Sequence, residues 1–321
     1  MTVLVSVNCI TYNHEKYIAN AIEGFLMQKT NFEYEVLIGE DCSTDNTRKI
    51  VESYIEKYPN IMRLITSEKN VGGRQNGRRL HENSRGKYIA ICEGDDFWTD
   101  PNKLQKQVDY LESHPECTLC FHAANIVNET GMPTGKLVRP YKNSTIILME
   151  DIIAGGGEFC ATASLMFLKR TMVNPPRFFL EAHVGDYPMQ MWTAYQGTAY
   201  YIDEMMSSYR TGVIGSWTHQ LSSGVNAIEK VFKALEANNK LLDDFNKETN
   251  YKYNEVIEKT KTKKEFEKFL LTNNLKQIKA AKYKVYFDEM SRFEKAKVYS
   301  RYYFPKTYAK LINLKRSMSA N

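Results

Sequence analysis

The chain has 321 residues and a formal charge of +5, from 43 Lys and Arg against 38 Asp and Glu. That length suits one large domain and a smaller one. There is no run of about 18 apolar residues and no signal-peptide pattern, so neither a membrane-spanning helix nor secretion is expected. The charge is uneven: residues 221–321 carry 22 basic against 12 acidic residues, which leaves residues 1–220 net negative. The six cysteines fall mostly in or beside apolar runs, and Cys117 with Cys120 lacks the second pair or nearby histidine of a zinc site. They read as reduced core thiols, which points to the cytoplasm.

In chain order, Val3 to Cys9 is an apolar, β-branched run that predicts a strand. Thr11-Tyr12-Asn13-His14 breaks it. Tyr17, Ile18, Ala21, Ile22, Phe25 and Leu26 then recur as one helix face would. Tyr34 to Gly39 predicts a second strand ending in Glu40-Asp41-Cys42-Ser43-Thr44-Asp45, followed by a helix carrying Ile50, Val51, Tyr54 and Ile55 on one side. Ile61 to Ile65 reads as a third strand, Gln75 to Arg85 as a helix, and Lys87 to Cys92 as a fourth strand. This alternation predicts βαβ units with a parallel sheet and right-handed crossovers, an α/β fold.

The fourth strand runs into Glu93-Gly94-Asp95-Asp96, three carboxylates in four residues. Ligands of open α/β sheets gather beyond the carboxyl ends of the strands. Carboxylates crowded there repel one another unless a cation sits between them, and oxygen-only ligands favour Mg²⁺ or Mn²⁺ bridging to phosphates. A solvated acidic turn capping a helix near Pro101 is the other reading. Asp41 likewise has two readings: a cap for the helix after Asp45, or an acceptor for the imide N–H of a uracil with Tyr12 offering an aromatic face. Neither G-x-G-x-x-G after the first strand nor G-x-x-x-x-G-K-[ST] occurs, so phosphates would have to be held by the metal.

The series VSVNCITYNHEKYI, EVLIGEDCSTDNT, NVGG and GKYIAICEGDDFWTDPNKLQKQ resembles the family 2 glycosyltransferases of GT-A fold, strongly over Val3 to Val127 and fairly to about Thr218. The resemblance implies a mixed, mostly parallel sheet flanked by helices. It also implies inverting transfer from a nucleotide sugar, usually a UDP-sugar, with Mn²⁺ or Mg²⁺, of the kind used in bacterial polysaccharide and cell-envelope synthesis. The transferred group would be a hexose or N-acetylhexosamine. By position, Asp41 matches the base-reading acid, Thr11, Tyr12 and Asn13 the loop around the nucleotide, and Asp95 the aspartate that binds metal and diphosphate. Glu93 stands where the family has Asp, so metal contact and a hydrogen bond to the donor sugar or ribose are both open to it. Gly94 lies between them, and Asp96 would orient the loop or cap the next helix.

Inverting transfer needs a base for the acceptor hydroxyl, worth roughly 10²–10⁴-fold. Asp186, in Glu181-Ala182-His183-Val184-Gly185-Asp186-Tyr187, precedes apolar residues at helical spacing, so it is expected at a helix N-terminus beside the cleft. It resembles the family's catalytic aspartate, and a helix cap is the alternative role. Gly155-Gly156-Gly157 to Ser164, followed by the apolar run Leu165 to Leu168, resembles the family's acceptor side. Ser208-Tyr209-Arg210-Thr211-Gly212 resembles the end of the family domain. Gly212 stands where many relatives have His, which leaves His219 as the only nearby imidazole and a further metal-ligand candidate.

The expected domains are 1–220, the GT-A domain, and 221–321, a basic helical region. In the latter, Ile228, Val231, Phe232 and Leu235 form one apolar face and Phe266, Phe269 and Leu270 another. Lys276 to Asn321 holds 12 basic residues, three acids and nine Tyr or Phe. That composition suits an anionic membrane surface or plain packing, and nucleic acid is not expected. The expected partners are a UDP-sugar and a glycan or lipid-linked oligosaccharide acceptor, with the protein cytoplasmic or peripheral on the inner face of the membrane. The alternatives are a nucleotidyltransferase, which would want a Gly-rich basic loop after the first strand, and a non-catalytic sugar-nucleotide-binding or scaffolding subunit.

Overall fold

The structure is a computed structural model that describes residues 3–216 and 226–308. The chain divides into two compact units at Val231/Phe232. In the first unit, β1 (Val5–Thr11), α1 (Ile18–Leu26), β2 (Tyr34–Glu40), α2 (Thr47–Lys57), β3 (Met62–Thr66), α3 (Gly73–Asn83) and β4 (Tyr88–Ile91) follow the predicted alternation. The short β5 (Phe97–Trp98) and α4 (Lys103–Ser113) lead into β6 (Cys117–Val127), β7 (Pro133–Val138), β8 (Thr145–Ile147) and α5 (Met149–Gly155). Beyond them come β9 (Met166–Leu168), α6 (Arg177–Glu181), α7 (Asp186–Tyr195) and the long β10 (Thr198–Arg210).

One sheet holds all ten strands, in the order β3-β2-β1-β4-β9-β6-β10-β5, with β7 added to β6 and β8 to β10. The half β3-β2-β1-β4 is parallel. β9 enters antiparallel between β4 and β6, whereas β6 and β10 run parallel over most of their length. Parallel strands need crossovers, and α1, α2 and α3 supply them. The core follows from the patterns: Ile18, Ala21, Ile22 and Phe25 of α1 are fully buried with Val5, Val7 and Cys9 of β1. Each large side chain so buried contributes about 1.5–3 kcal/mol. Phe25 meets the Trp98 ring edge-on at 4.8 Å, and Gly24 leaves room for the Trp98 backbone, which a Cβ would approach to 2.9 Å.

The first strand sits later than its apolar run suggests. It ends at Thr11 because Thr11 pairs with Glu40 of β2 and its carbonyl accepts the Asp41 N–H at 3.1 Å. Ladder bonding thus outweighs the turn character of Thr11. Five of the six cysteines are buried, Cys42 is partly so, and all are free thiols.

The second unit is helical: α8 (Ala227–Glu248, most of which belongs to it), α9 (Asn254–Leu271), α10 (Leu275–Ile278), α11 (Lys284–Glu289) and α12 (Arg292–Tyr303). Phe266, Leu275, Ile278, Tyr283 and Val298 form its buried cluster. On α8, Ile228 is 60% exposed, and burial is carried instead by Leu241, Leu242 and Phe245. The helix packs through its C-terminal half, where Phe245 stacks on Tyr253 at 6.0 Å. No described helix is long and apolar enough to cross a membrane.

Candidate active site

The site lies beyond the carboxyl ends of β1, β2 and β4. Two loops there are laced together. The Asn13 amide oxygen accepts the Thr44 N–H at 2.8 Å, and its own N–H donates to Ser43 Oγ at 3.0 Å. Glu15 Oε2 accepts from Asn46, and Asp45 Oδ2 accepts the Glu15 N–H. Asn13 and Cys42 take φ of 55° and 62°, left-handed values that such short cross-bonded loops require. Asn13 is therefore a framework residue, while Tyr12 stands 41% exposed at the loop's edge.

Asp41 is 2% exposed. Its Oδ1 accepts the Val71 N–H at 2.9 Å, its Oδ2 accepts the Gly72 N–H at 2.8 Å, and Arg79 stands 3.5 Å away. It does not cap α2, whose N-cap is Asn46. The carboxylate thus shapes the Asn70-Val71-Gly72-Gly73 loop, and any base it meets would share an oxygen already holding that loop.

The acidic segment after β4 is folded onto the end of β1. The Gly94 N–H donates to Ile10 O at 2.9 Å, and a Cβ at Gly94 would lie 2.6 Å from Thr11 Oγ1 and 2.9 Å from His14 Nδ1. Both of those polar atoms are buried without a partner among the described residues. The segment is no solvated turn. Asp96 is 1% exposed, and its carboxyl is driven well above the usual range by burial and by Asp95 and Glu93, with Arg210 opposing them. Its Oδ1 accepts the Arg210 N–H at 2.7 Å, which makes it the loop-orienting member of the trio. It does not cap α4, whose N-cap is Asn102.

Arg210, at the end of β10, is the residue that sequence reasoning undervalued. Its Nε donates to Asp95 O at 2.7 Å, its Nη1 donates to Glu129 O at 2.9 Å, and its guanidinium lies 4.8 Å over the Tyr17 ring. It is 4% exposed. A buried arginine must be paired, and here it fixes the backbone that aims Asp95. The available signal was a lone arginine closing a long strand.

The Asp95 side chain makes no hydrogen bond or ion pair among the described residues. Glu93, half-buried, is pushed up to about 8 by burial, then by Asp95, then by Asp186. The charge of Asp186 therefore reaches Glu93 from another element. Asp186 is the first residue of α7, behind the N-cap Gly185. Its Oδ1 accepts the Tyr187 N–H at 2.7 Å, and burial raises its carboxyl while these backbone bonds oppose the rise. Arg74, just past the Asp41-held loop, donates to the carbonyls of Phe179 and Leu180, which ties that loop to the segment leading into Asp186. Candidates far apart in sequence thus converge: Thr11, Glu93, Gly94 and Asp95 at the strand ends, and Asp186 opposite. His219 lies outside the described residues.

With this geometry in place, comparison with known proteins identifies the lineage. The sequence profile described as Glycosyl transferase family 2 matches residues 6–173. The chain belongs to glycosyl transferase family 2. Among similar proteins, an uncharacterized Mycobacterium tuberculosis protein is 35% identical over 215 residues, 66% of this chain and 60% of that protein. The Escherichia coli UDP-Glc:alpha-D-GlcNAc-diphosphoundecaprenol beta-1,3-glucosyltransferase WfgD is 30% identical over 244 residues, 75% of this family 2 chain and 86% of WfgD. The chain spans only about 60% of the length of the mycobacterial relative. In structure it is similar to S. aureus TarS 1-349 in complex with UDP (TM-score 0.53, 17% identity, 75% of this chain and 65% of that one). It is also similar to the mannosyltransferase PcManGT from Pyrobaculum calidifontis in complex with GDP-Man and Mn2+ (TM-score 0.51, 13% identity, 95% and 88%). These likenesses show the GT-A fold: a mixed sheet, parallel over its longer pairings, flanked by helices.

Proposed function

We propose that the chain is an inverting glycosyltransferase that moves a hexose or N-acetylhexosamine from a UDP-sugar to a hydroxyl of a glycan or lipid-linked glycan, assisted by Mn²⁺ or Mg²⁺. The observation that carries this reading is the Asp95 carboxylate, unpaired among the described residues, beside a Glu93 that the charge of Asp186 reaches from a separate helix. WfgD acts on a UDP-sugar and a lipid-diphosphate acceptor, and the solved relatives hold UDP or GDP-Man, which supports the substrate classes.

The residues fit a divalent cation. Asp95 offers unpaired oxygens within an acidic cluster, and among the described residues no group of three or more His, Cys, Asp or Glu could hold a metal alone. A cation at Asp95 would therefore complete its shell with donor phosphate oxygens and water, the usual habit of Mg²⁺. Bound there, it supplies charge neutralisation for the leaving diphosphate. Tyr12 and the loop shaped by Asp41 receive the base, and Thr11 Oγ1 has an unused hydrogen bond for the donor. Asp186 takes the acceptor proton as the acceptor oxygen bonds to the anomeric carbon and the bond from that carbon to the diphosphate breaks.

The test is a screen of UDP-, GDP- and dTDP-sugars with and without Mn²⁺, with released nucleotide and sugar read by mass spectrometry. A preference for nucleoside triphosphates would instead favour the nucleotidyltransferase, and no turnover with retained UDP binding the non-catalytic subunit.

Asp41→Ala should weaken UDP binding by roughly ten-fold or more, since a hydrogen bond to a charged group contributes about 1.5–3 kcal/mol. It should also lower stability, because the N–H groups of Val71 and Gly72 lose their acceptor. Calorimetry that finds wild-type UDP affinity in the folded variant would remove Asp41 from the donor site.

We extend the proposal to the basic helical region, as a contact with an anionic membrane surface. Phe293, Tyr303 and Phe304 are 66%, 61% and 65% exposed, and Arg292, Lys297 and Lys306 are exposed among them. Aromatic groups insert at the headgroup level, and each nearby basic residue adds about 1 kcal/mol on an anionic surface. The protein should co-sediment with phosphatidylglycerol vesicles at low salt and be released by high salt. Equal retention on pure phosphatidylcholine, or on neither, would leave these side chains without a membrane role.

A further inference from the structure

We infer that Gly157 decides which nucleophile reaches Asp186; the inference rests on the reading of Asp186 as the base. Gly157 lies in the 3-10 turn Gly156–Phe159 that follows α5. Its neighbour Gly156 has φ of 67°, a left-handed value, but Gly157 is not among the residues of positive φ. The backbone at 157 would therefore accept an ordinary side chain, and what such a side chain meets is a tight contact with Asp186. A Cβ there would stand 3.3 Å from Asp186 Oδ2, 3.7 Å from Oδ1 and 3.7 Å from Tyr187 Cβ. Oδ1 is already engaged by the Tyr187 N–H, and no other described residue donates to Oδ2. The gap left by the missing side chain thus opens onto the oxygen that remains for an incoming hydroxyl.

Helix α7 holds both sides of this gap. Gln190, one turn beyond Asp186, donates Nε2 to Gly157 O at 3.3 Å, and the Tyr187 hydroxyl donates to Ile153 O at 2.7 Å. The turn is thus hydrogen-bonded to the helix that carries the carboxylate, which ties the clearance to the residue at 157. In either reaction the incoming oxygen bonds to the anomeric carbon, its proton goes to Asp186, and UDP departs with the electron pair of the broken bond. Water can pass beside a methyl group. A sugar or polyol hydroxyl brings its carbons with it, and a side chain at 157 would occupy their place.

The experiment follows the partition of UDP-glucose, with Mn²⁺, between water and added glycerol, reading free glucose and glucosyl-glycerol by mass spectrometry. Wild type, Gly157→Ala and Gly157→Val are compared, with UDP calorimetry and a melting curve to establish that each folds and binds donor. The ratio of glycerol transfer to hydrolysis should fall in the order Gly, Ala, Val, by about ten-fold or more at Val, as expected for overpacking a tight contact. A flat ratio, or a wild type that hydrolyses donor yet forms no glucosyl-glycerol, overturns the inference. Asp186→Asn in the same assay separates the two claims. If it keeps both products, the base assignment fails. If it loses both while the Gly157 series stays flat, only the role of Gly157 fails.

Discussion

Asp186→Asn is expected to bind UDP-sugar and Mn²⁺ as the wild type does and to transfer sugar roughly two to four orders of magnitude more slowly. The carboxylate is needed only while the acceptor proton leaves, so the loss should fall on the chemical step and not on donor affinity. The pH profile adds a second signature. A base works deprotonated, so the rate falls as pH drops through its pKa. Burial raises the Asp186 carboxyl above its ordinary value, so the acid limb of the wild type should lie above the usual carboxylate range of about 4. That limb should vanish in the variant. Single-turnover transfer paired with calorimetry measures both effects. A variant that transfers normally would leave Asp186 as a helix-terminal residue that stabilises α7 and nothing more.

Asp95→Asn should abolish turnover and the cation dependence of UDP binding together. The amide keeps the shape of the side chain but removes the charge that holds a divalent ion against the diphosphate, and charge stabilisation of a leaving group has large leverage in a dry site. The same change should leave the cation-free protein at least as stable as the wild type. Asp95 raises the proton affinity of both Glu93 and Asp96, so its charge is a source of repulsion when no cation is present. Calorimetry of UDP with and without Mn²⁺, and melting in EDTA, test the two halves separately. Full wild-type activity in excess EDTA would exclude the cation from the reaction. Glu93→Gln should be milder, and an equal loss would make Glu93 a direct ligand.

The first hundred residues were legible because local rules and global fold agree there. Strands β1, β2 and β4 are buried on both faces, so they read as continuous apolar runs, and α1 shows its buried stripe at helical spacing. Asp186 at a helix start was legible for the same reason. Of the later strands, β9 was legible in the apolar run Leu165 to Leu168, but β6 and β10 were not. β6 and β10 carry Thr118, His122, Ser207 and Ser208 buried among apolar neighbours, which blurs the alternation that marks a strand. On α8 the face read from sequence holds in part: Val231, Phe232 and Leu235 are partly buried, while Ile228 is exposed, because burial depends on which helix is adjacent and not on the stripe alone.

The sequence by itself determined the acid-ended strand, the order of the βαβ units and the family, since these are written in contiguous residues whose chemistry is local. Only the tertiary structure decided how the candidates are used. Asn13 and Asp41 turn out to spend their oxygens on neighbouring loops and Asp96 one of its two on Arg210, whereas the side chains of Asp95 and Glu93 make no hydrogen bond or ion pair among the described residues. The reason is that a buried polar group takes whatever donor the fold brings to it. Those donors come from 30 to 114 residues away along the chain, a distance over which sequence spacing carries no geometric information.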